Sequence, residues 1–145
     1  MIPDLVDIGA AWKVLPSGIH DATLLDVKDR FATNIKRAEL FEGLARGCQN
    51  LESAKCAVVY LDGSYVTEKI NPGDFDVCWD PVGVDIVKLD PVFLDLDHPR
   101  RRQKFKYGGE FFPSSAPADA SQPFLLYFQK DRETGKEKGI VRIRL

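Results

Sequence analysis

Residues able to build a metal-thiolate or disulfide scaffold are scarce in this 145-residue chain. Its three cysteines, Cys48, Cys56 and Cys78, form no CxxC pair and leave an odd count. With only His20 and His98 beside them, this set argues against a structural zinc site. The thiols read instead as small buried hydrophobes of a reducing compartment. Long apolar runs are absent too, so nothing approaches the roughly 20 residues of a membrane span. The opening "MIPDLVDIGAAWKVLP" lacks the basic start and continuous apolar stretch of a signal peptide. A cytoplasmic protein without membrane contact is the expectation. Net charge is also small: at −2 there is no electrostatic basis for sequence-independent nucleic-acid binding. Contact with RNA, DNA or a nucleotide must come from a local patch or a bound cation. There is no Walker-type loop, Ser-His-Asp set or zinc deaminase signature.

What remains is an ordinary globular balance, 44% hydrophobic and 29% charged, over a length that buries one core. One domain, 1–145, is expected, with residues 1–16 as an extended arm of weak periodicity. "SGIHDATLLDVKDRFAT" predicts a short amphipathic helix with Asp21 as candidate N-cap, and His20 reads as a turn residue. After the cap signal Thr33-Asn34, apolar residues from Ile35 to Leu51 recur at helical spacing, giving the longest helix, through Ala54. "CAVVYLD" and "DFDVCW" read as neighbouring strands, "EFFP" as a third and "GIVRIRL" as the last. Between them, "GSYVTEKINPG" is a turn with at most a short helix, and the Asp-Pro starts with the basic run "HPRRRQKFKYGG" suggest helical pieces. "FLLYFQK" fits helix or strand. The class is α+β: a small mixed sheet with helices packed on one face.

Asp74-Phe75-Asp76 carries the chemistry. Residues two apart on a strand share a side, so Asp74 and Asp76 lie together while Phe75 enters the opposite, apolar face. Two close carboxylates repel unless a cation joins them, and an oxygen-preferring divalent ion, Mg²⁺ or Mn²⁺, meets that need and also binds phosphate. Gly63-Ser64 is the complementary half. Glycine after a strand permits close backbone approach, and N–H groups opening the next turn attract anions. Together they suit phosphoryl or nucleotidyl transfer.

"DGSYVTEKINPGDFDV" resembles the signature of the polymerase-beta-like nucleotidyltransferases: Gly-Ser, a spacer, then Asp-x-Asp on a strand. The signature spans Gly63 to Asp76. Through "LPSGIHDATLLDVKDRF", "YLDGSYVTEK", "GGEFFP" and "GIVRIRL" the chain is also similar to a group of short bacterial proteins carrying it. The resemblance implies a minimal mixed-sheet nucleotidyltransferase fold, two divalent cations, a nucleoside triphosphate donor and a third carboxylate. Glu110, opening "EFFP" after the Gly108-Gly109 pair, is the choice for that carboxylate, a glutamate where aspartate is usual. Asp85, Asp95 and Asp97 compete, although each also suits capping near an Asp-Pro start. Larger relatives carry an added domain for which this chain has no room, so a homo-oligomer or a cognate partner protein is implied.

The leading expectation is therefore a metal-dependent nucleotidyltransferase acting on RNA or a protein side chain, with a bacterial toxin–antitoxin or defence module as its implied setting. Asp74, Asp76 and Glu110 would hold metal, and Gly63 and Ser64 the triphosphate. Thr67 and Lys69 fit either phosphate contacts or the solvated face of a short helix. Aspartate after a Pro-Gly turn also suits a plain solvated strand end. The basic run fits a solvated face, or contact with a polyanion through Arg100, Arg101, Arg102, Lys104 and Lys106. The aromatics Phe111, Phe112, Phe124, Tyr127 and Phe128 read as core. The rival expectation is a non-catalytic nucleotide-binding or interaction module, antitoxin-like, that keeps the fold.

Overall fold

The last strand of the chain sits well inside the sheet. In the computed structural model, which describes residues 1–97 and 100–145, five strands follow the order β1-β5-β2-β3-β4. They are β1 (Gly18–Ala22), β2 (Val58–Asp62), β3 (Phe75–Trp79), β4 (Gly109–Pro113) and β5 (Gly139–Arg144). β5 runs parallel to β1 and antiparallel to β2, while β3 is antiparallel to β2 and parallel to β4. The helices are α1 (Leu24–Phe31), α2 (Ile35–Ser53), α3 (Arg101–Tyr107) and α4 (Phe124–Tyr127). The architecture is thus α+β with a mixed sheet. Among the described residues, no helix is long and apolar enough to cross a membrane. His98 and Pro99, which open the basic run, lie outside the described residues.

Strand alternation divides the chain between two faces. Val59, Leu61, Phe75, Val77, Phe111, Val141 and Ile143 join the larger core with α1 and α2 residues such as Val27, Phe31, Leu44 and Leu51. Cys78, Phe112 and Ile140 point the other way, into a smaller cluster with Phe128 that Phe124, Leu125 and Tyr127 cover. Helices therefore do not keep to one face. α4 covers one end of the second face, and the carboxylates described below occupy the rest.

Local signals explain most boundaries. Asn34 caps α2 by accepting from the Arg37 N–H, as its position before the apolar stripe predicts. α1 begins later than expected: Thr23, not Asp21, is its N-cap, in a reciprocal capping box with Asp26. Residues 18–22, expected as the lead-in to this helix with His20 in a turn, form strand β1 instead, paired in parallel with β5. The N-terminal segment is not extended either. It turns back on itself, with Val6 and Val14 exchanging backbone hydrogen bonds of 2.7 and 3.0 Å, and Ile2, Val14 and Leu15 are buried.

Two devices fix β4, the strand carrying Glu110. A Cβ on Gly47 of α2 would lie 2.6 Å from the Phe111 ring, so only glycine lets helix and strand approach this closely. The wholly buried Gln103 of α3 accepts from the Phe111 N–H (2.7 Å) and donates to the Phe111 (3.1 Å) and Val92 (3.0 Å) carbonyls. That amide locks α3, β4 and the short 3-10 turn at Pro91–Leu94 into one register.

Candidate functional site

Cross-strand pairing lines up three carboxylates. Asp62 of β2 pairs with Asp76 of β3, and Asp76 with Glu110 of β4. Neighbouring strands lie about 5 Å apart, and their inward neighbours Leu61, Phe75 and Phe111 enter the larger core. The acids therefore share the second face, within reach of one another. Asp74 lies one residue before β3 and on the same side as Asp76. Asp62, Asp76 and Glu110 line a cleft of about 550 Å³ with Gly63 and Ser64. Of the competing acids, Asp85 caps the Val87 N–H, Asp95 pairs with Arg102 at 3.8 Å and Asp97 donates its N–H to Asp95; none of them lines the cleft.

Charge balance explains how such a row survives folding. Lys138, just before β5, donates to Asp62 at 2.6 Å, and Lys104 of α3 stands 3.4 Å from Asp74 and 3.3 Å from Glu110. Arg100 donates to Glu110 and stacks over Phe112, 4.8 Å from its ring centre. Asp76 has no ion pair of its own among these cations. It keeps a little surface open to the cleft, yet burial first, and then Asp74, Asp62 and Glu110, push its carboxyl up to about 8, against the pull of Lys138. Burial also raises Asp62, with Lys138 opposing. Lys104 is raised: burial works against its charge, but Glu110 and Asp74 outweigh it.

The Gly-Ser element adopts a form that glycine alone suits. Gly63 has φ +86°, and a Cβ there would lie 2.4 Å from Asp76 Oδ2. The close approach that glycine permits is thus to the carboxylate itself. Ser64 opens a single 3-10 turn, Ser64–Val66, too short to add a helix dipole, so individual N–H groups would have to hold an anion. Thr67 lines the cleft and donates from its hydroxyl to the Ser64 carbonyl at 2.7 Å. Lys69 does not line it: its ammonium lies 4.7 Å from the centre of the Trp12 ring. Buried Arg37 of α2 holds this loop from beneath, donating to the carbonyls of Tyr65 (2.7 Å), Thr67 (2.8 Å), Phe31 (3.2 Å) and Lys69.

The donor chemistry suits a hard divalent cation: all the candidate ligands are carboxylate oxygens, with Asp62, Asp76 and Glu110 on adjacent strands and Asp74 just before β3. Among the described residues, no three Asp, Glu, His or Cys side chains are already gathered as a metal centre. Lys104 spans the Asp74–Glu110 gap, and Lys138 holds Asp62. An ion would displace or share with these cations.

Four residues of this arrangement escape sequence reading. Asp62 looks like a strand end, although an acid two positions from Tyr60 on a half-buried strand was a signal. Arg37 falls on the apolar stripe of Phe41, Leu44 and Leu51, the signal for a buried charge. Lys138, in a charged turn, and Trp12, in the supposed arm, gave no signal.

No curated protein and no solved structure matches this chain. A model of a family of unknown function, DUF6932, matches residues 9–144, a span that holds every strand and helix described above. The chain belongs to the DUF6932 family.

Proposed function

We propose that the protein is a metal-dependent nucleotidyltransferase, moving a nucleoside monophosphate from a nucleoside triphosphate to a hydroxyl of RNA or of a protein side chain. The observation that carries this is the registered row Asp62, Asp76 and Glu110 beside Gly63-Ser64 in one cleft. Mg²⁺ or Mn²⁺ would be held by Asp76 with Glu110, Asp74 or Asp62, and when bound it supplies charge neutralisation at the phosphates and a lowered pKa for an attacking hydroxyl. The chain's own residues do the rest. Ser64, Thr67 and nearby backbone N–H groups orient the phosphates. The acceptor oxygen forms its bond to the α-phosphorus as the α–β bridge breaks, pyrophosphate leaves with the electron pair, and the hydroxyl proton passes to a carboxylate or water. An open cleft on a small domain leaves the acceptor side to a second copy or a cognate partner protein, as in a toxin–antitoxin or defence module.

Incubation of α-phosphate-labelled nucleotides with Mn²⁺, cellular RNA and cellular protein tests the reading. Label should move to one acceptor class, and Asp76→Asn or Glu110→Gln should reduce transfer at least about a hundredfold, the scale for losing a charge-stabilising group. One observation favours a second reading, a nucleotide-binding module without transfer: Arg100, Lys104 and Lys138 already pair with Glu110, Asp74 and Asp62. Nucleotide binding with no labelled acceptor under any condition would decide for that reading.

A further inference from the structure

The cleft has an acidic floor and an aromatic rim, and the rim has no part in the chemistry described so far. Trp12 stands on it, 41% exposed, in the turn between Val6 and Val14. That turn is held. The Ala11 N–H donates to the Glu133 carboxylate at 3.1 Å, and Lys136 Nζ to the Ile8 carbonyl at 2.9 Å. Lys69 sits 4.7 Å from the indole centre and does not itself line the cleft.

The wall next to it is built from the segment that Ala11 grips. Arg132, adjacent to Glu133, lays its guanidinium 3.4 Å from the centre of the Tyr127 ring and donates to the Tyr127 carbonyl. Arg132 is exposed and lines the cleft. Phe124, behind it, stacks on Phe112 at 4.0 Å between ring centres, so this wall rests on the sheet itself.

A flat π-surface and a flat cation, a few residues from a shared hydrogen bond, form a slot for a planar ring. The same cleft offers Ser64 and the carboxylate row to the other end of such a ligand. We infer that Trp12 and Arg132 form the base subsite of the cleft, stacking the nucleobase of the triphosphate whose phosphates lie over Gly63-Ser64. The inference rests on the nucleotide reading and deepens it: the N-terminal turn and the segment after β4 supply the contact to the base. Recognition through stacked faces tolerates every base and favours the larger purine ring.

The protein supplies its own probe, since Trp79, the other tryptophan, is wholly buried in the core. Full-length protein with Mg²⁺ is titrated with ATP, UTP and inorganic tripolyphosphate, following tryptophan fluorescence, with calorimetry as an independent measure of binding. ATP should quench the emission, bind at least about fivefold more tightly than tripolyphosphate, and more tightly than UTP, on the scale of base–aromatic stacking. Trp12→Phe should abolish most of the quench while retaining binding. Trp12→Ala and Arg132→Gln, both at exposed positions, should each bring ATP down to the affinity of tripolyphosphate. If ATP binds Trp12→Ala and Arg132→Gln as tightly as wild type, or binds wild type without quenching, the base lies elsewhere and this inference is overturned, while the phosphate site stands. If neither ATP nor tripolyphosphate binds at all, the nucleotide reading falls and takes the subsite with it.

Discussion

Replacing Asp76 with asparagine should stabilise the metal-free protein above about pH 4, and increasingly so as pH rises towards 8. Asp76 adjoins Asp62 and Glu110 across the sheet, and its carboxyl is pushed from 3.8 up to about 8, mainly by burial and then by Asp74, Asp62 and Glu110. The native state therefore binds this proton more tightly than the unfolded chain. Between those values the native state holds more protons, so stability falls as pH rises from about 4 to about 8 and levels off above. At roughly 1.4 kcal/mol per pH unit, the full shift would cost on the order of 5 kcal/mol, a ceiling that water in the open cleft lowers. A difference of about 2–3 kcal/mol between Asp76→Asn and wild type at pH 8.5, shrinking towards zero at pH 4, is the working expectation. Asparagine keeps the shape but neither titrates nor repels. Urea unfolding of both proteins in EDTA, from pH 4 to pH 9, measures it; the difference curve reports Asp76 together with its coupling to Asp74, Asp62 and Glu110. A variant no more stable than wild type at pH 8.5 would mean that the carboxylate is comfortably solvated or paired, and the account of the acidic row would be wrong.

Gly63→Ala should cost about 1–3 kcal/mol, since φ is +86° and the new Cβ would meet Asp76 Oδ2 at 2.4 Å. In an Asp76→Ala background the cost should shrink, and an additive double-mutant cycle would show that the contact is not the cause. Arg37→Met leaves the carbonyls of Tyr65, Thr67 and Lys69 without their guanidinium and should cost about 3 kcal/mol. Hydrogen exchange across residues 64–70 should rise in that variant, and Arg37→Lys should not rescue it because an ammonium lacks the fork geometry. Gln103→Leu should cost about 2 kcal/mol by leaving the Phe111 N–H unpaired. It should also weaken Mn²⁺ binding, while a variant that loses stability alone would remove Gln103 from any part in positioning Glu110.

Local chemistry was legible where local chemistry decides. The Asn34 cap and the stripe from Phe41 to Leu51 needed no partner to be recognised, nor did the alternation of "DFDVCW". What depends on a distant partner was not. "GIHDA" has an unremarkable alternation and becomes β1 only because residues 139–143 lie alongside it. The site divides in the same way. Asp74 and Asp76 stand out through spacing along the chain and Glu110 only through the family resemblance, whereas Asp62 joins them through strand register, and Lys138 and Lys104 through tertiary approach. Trp12 was hidden by the assumption that an aperiodic N-terminal segment is extended; the hydrogen bond from Ala11 to Glu133 spans 122 residues of sequence.

The inward position of β5 has a consequence for the order in which the molecule assembles. β2, β3 and β4 form a contiguous block whose pairings with one another are complete by residue 113, so they can pair while later segments are still arriving. β1 cannot: its partner residues begin at Gly139, and the Arg142–Asp21 ion pair closes a loop of 121 residues. Closing so long a loop is slow compared with local pairing. Lys138 arrives with the same strand, which leaves Asp62 facing Asp76 without its cation until the final docking step. The folding rate should therefore depend on salt and pH most strongly at that step, when Asp62 first meets its counter-charge.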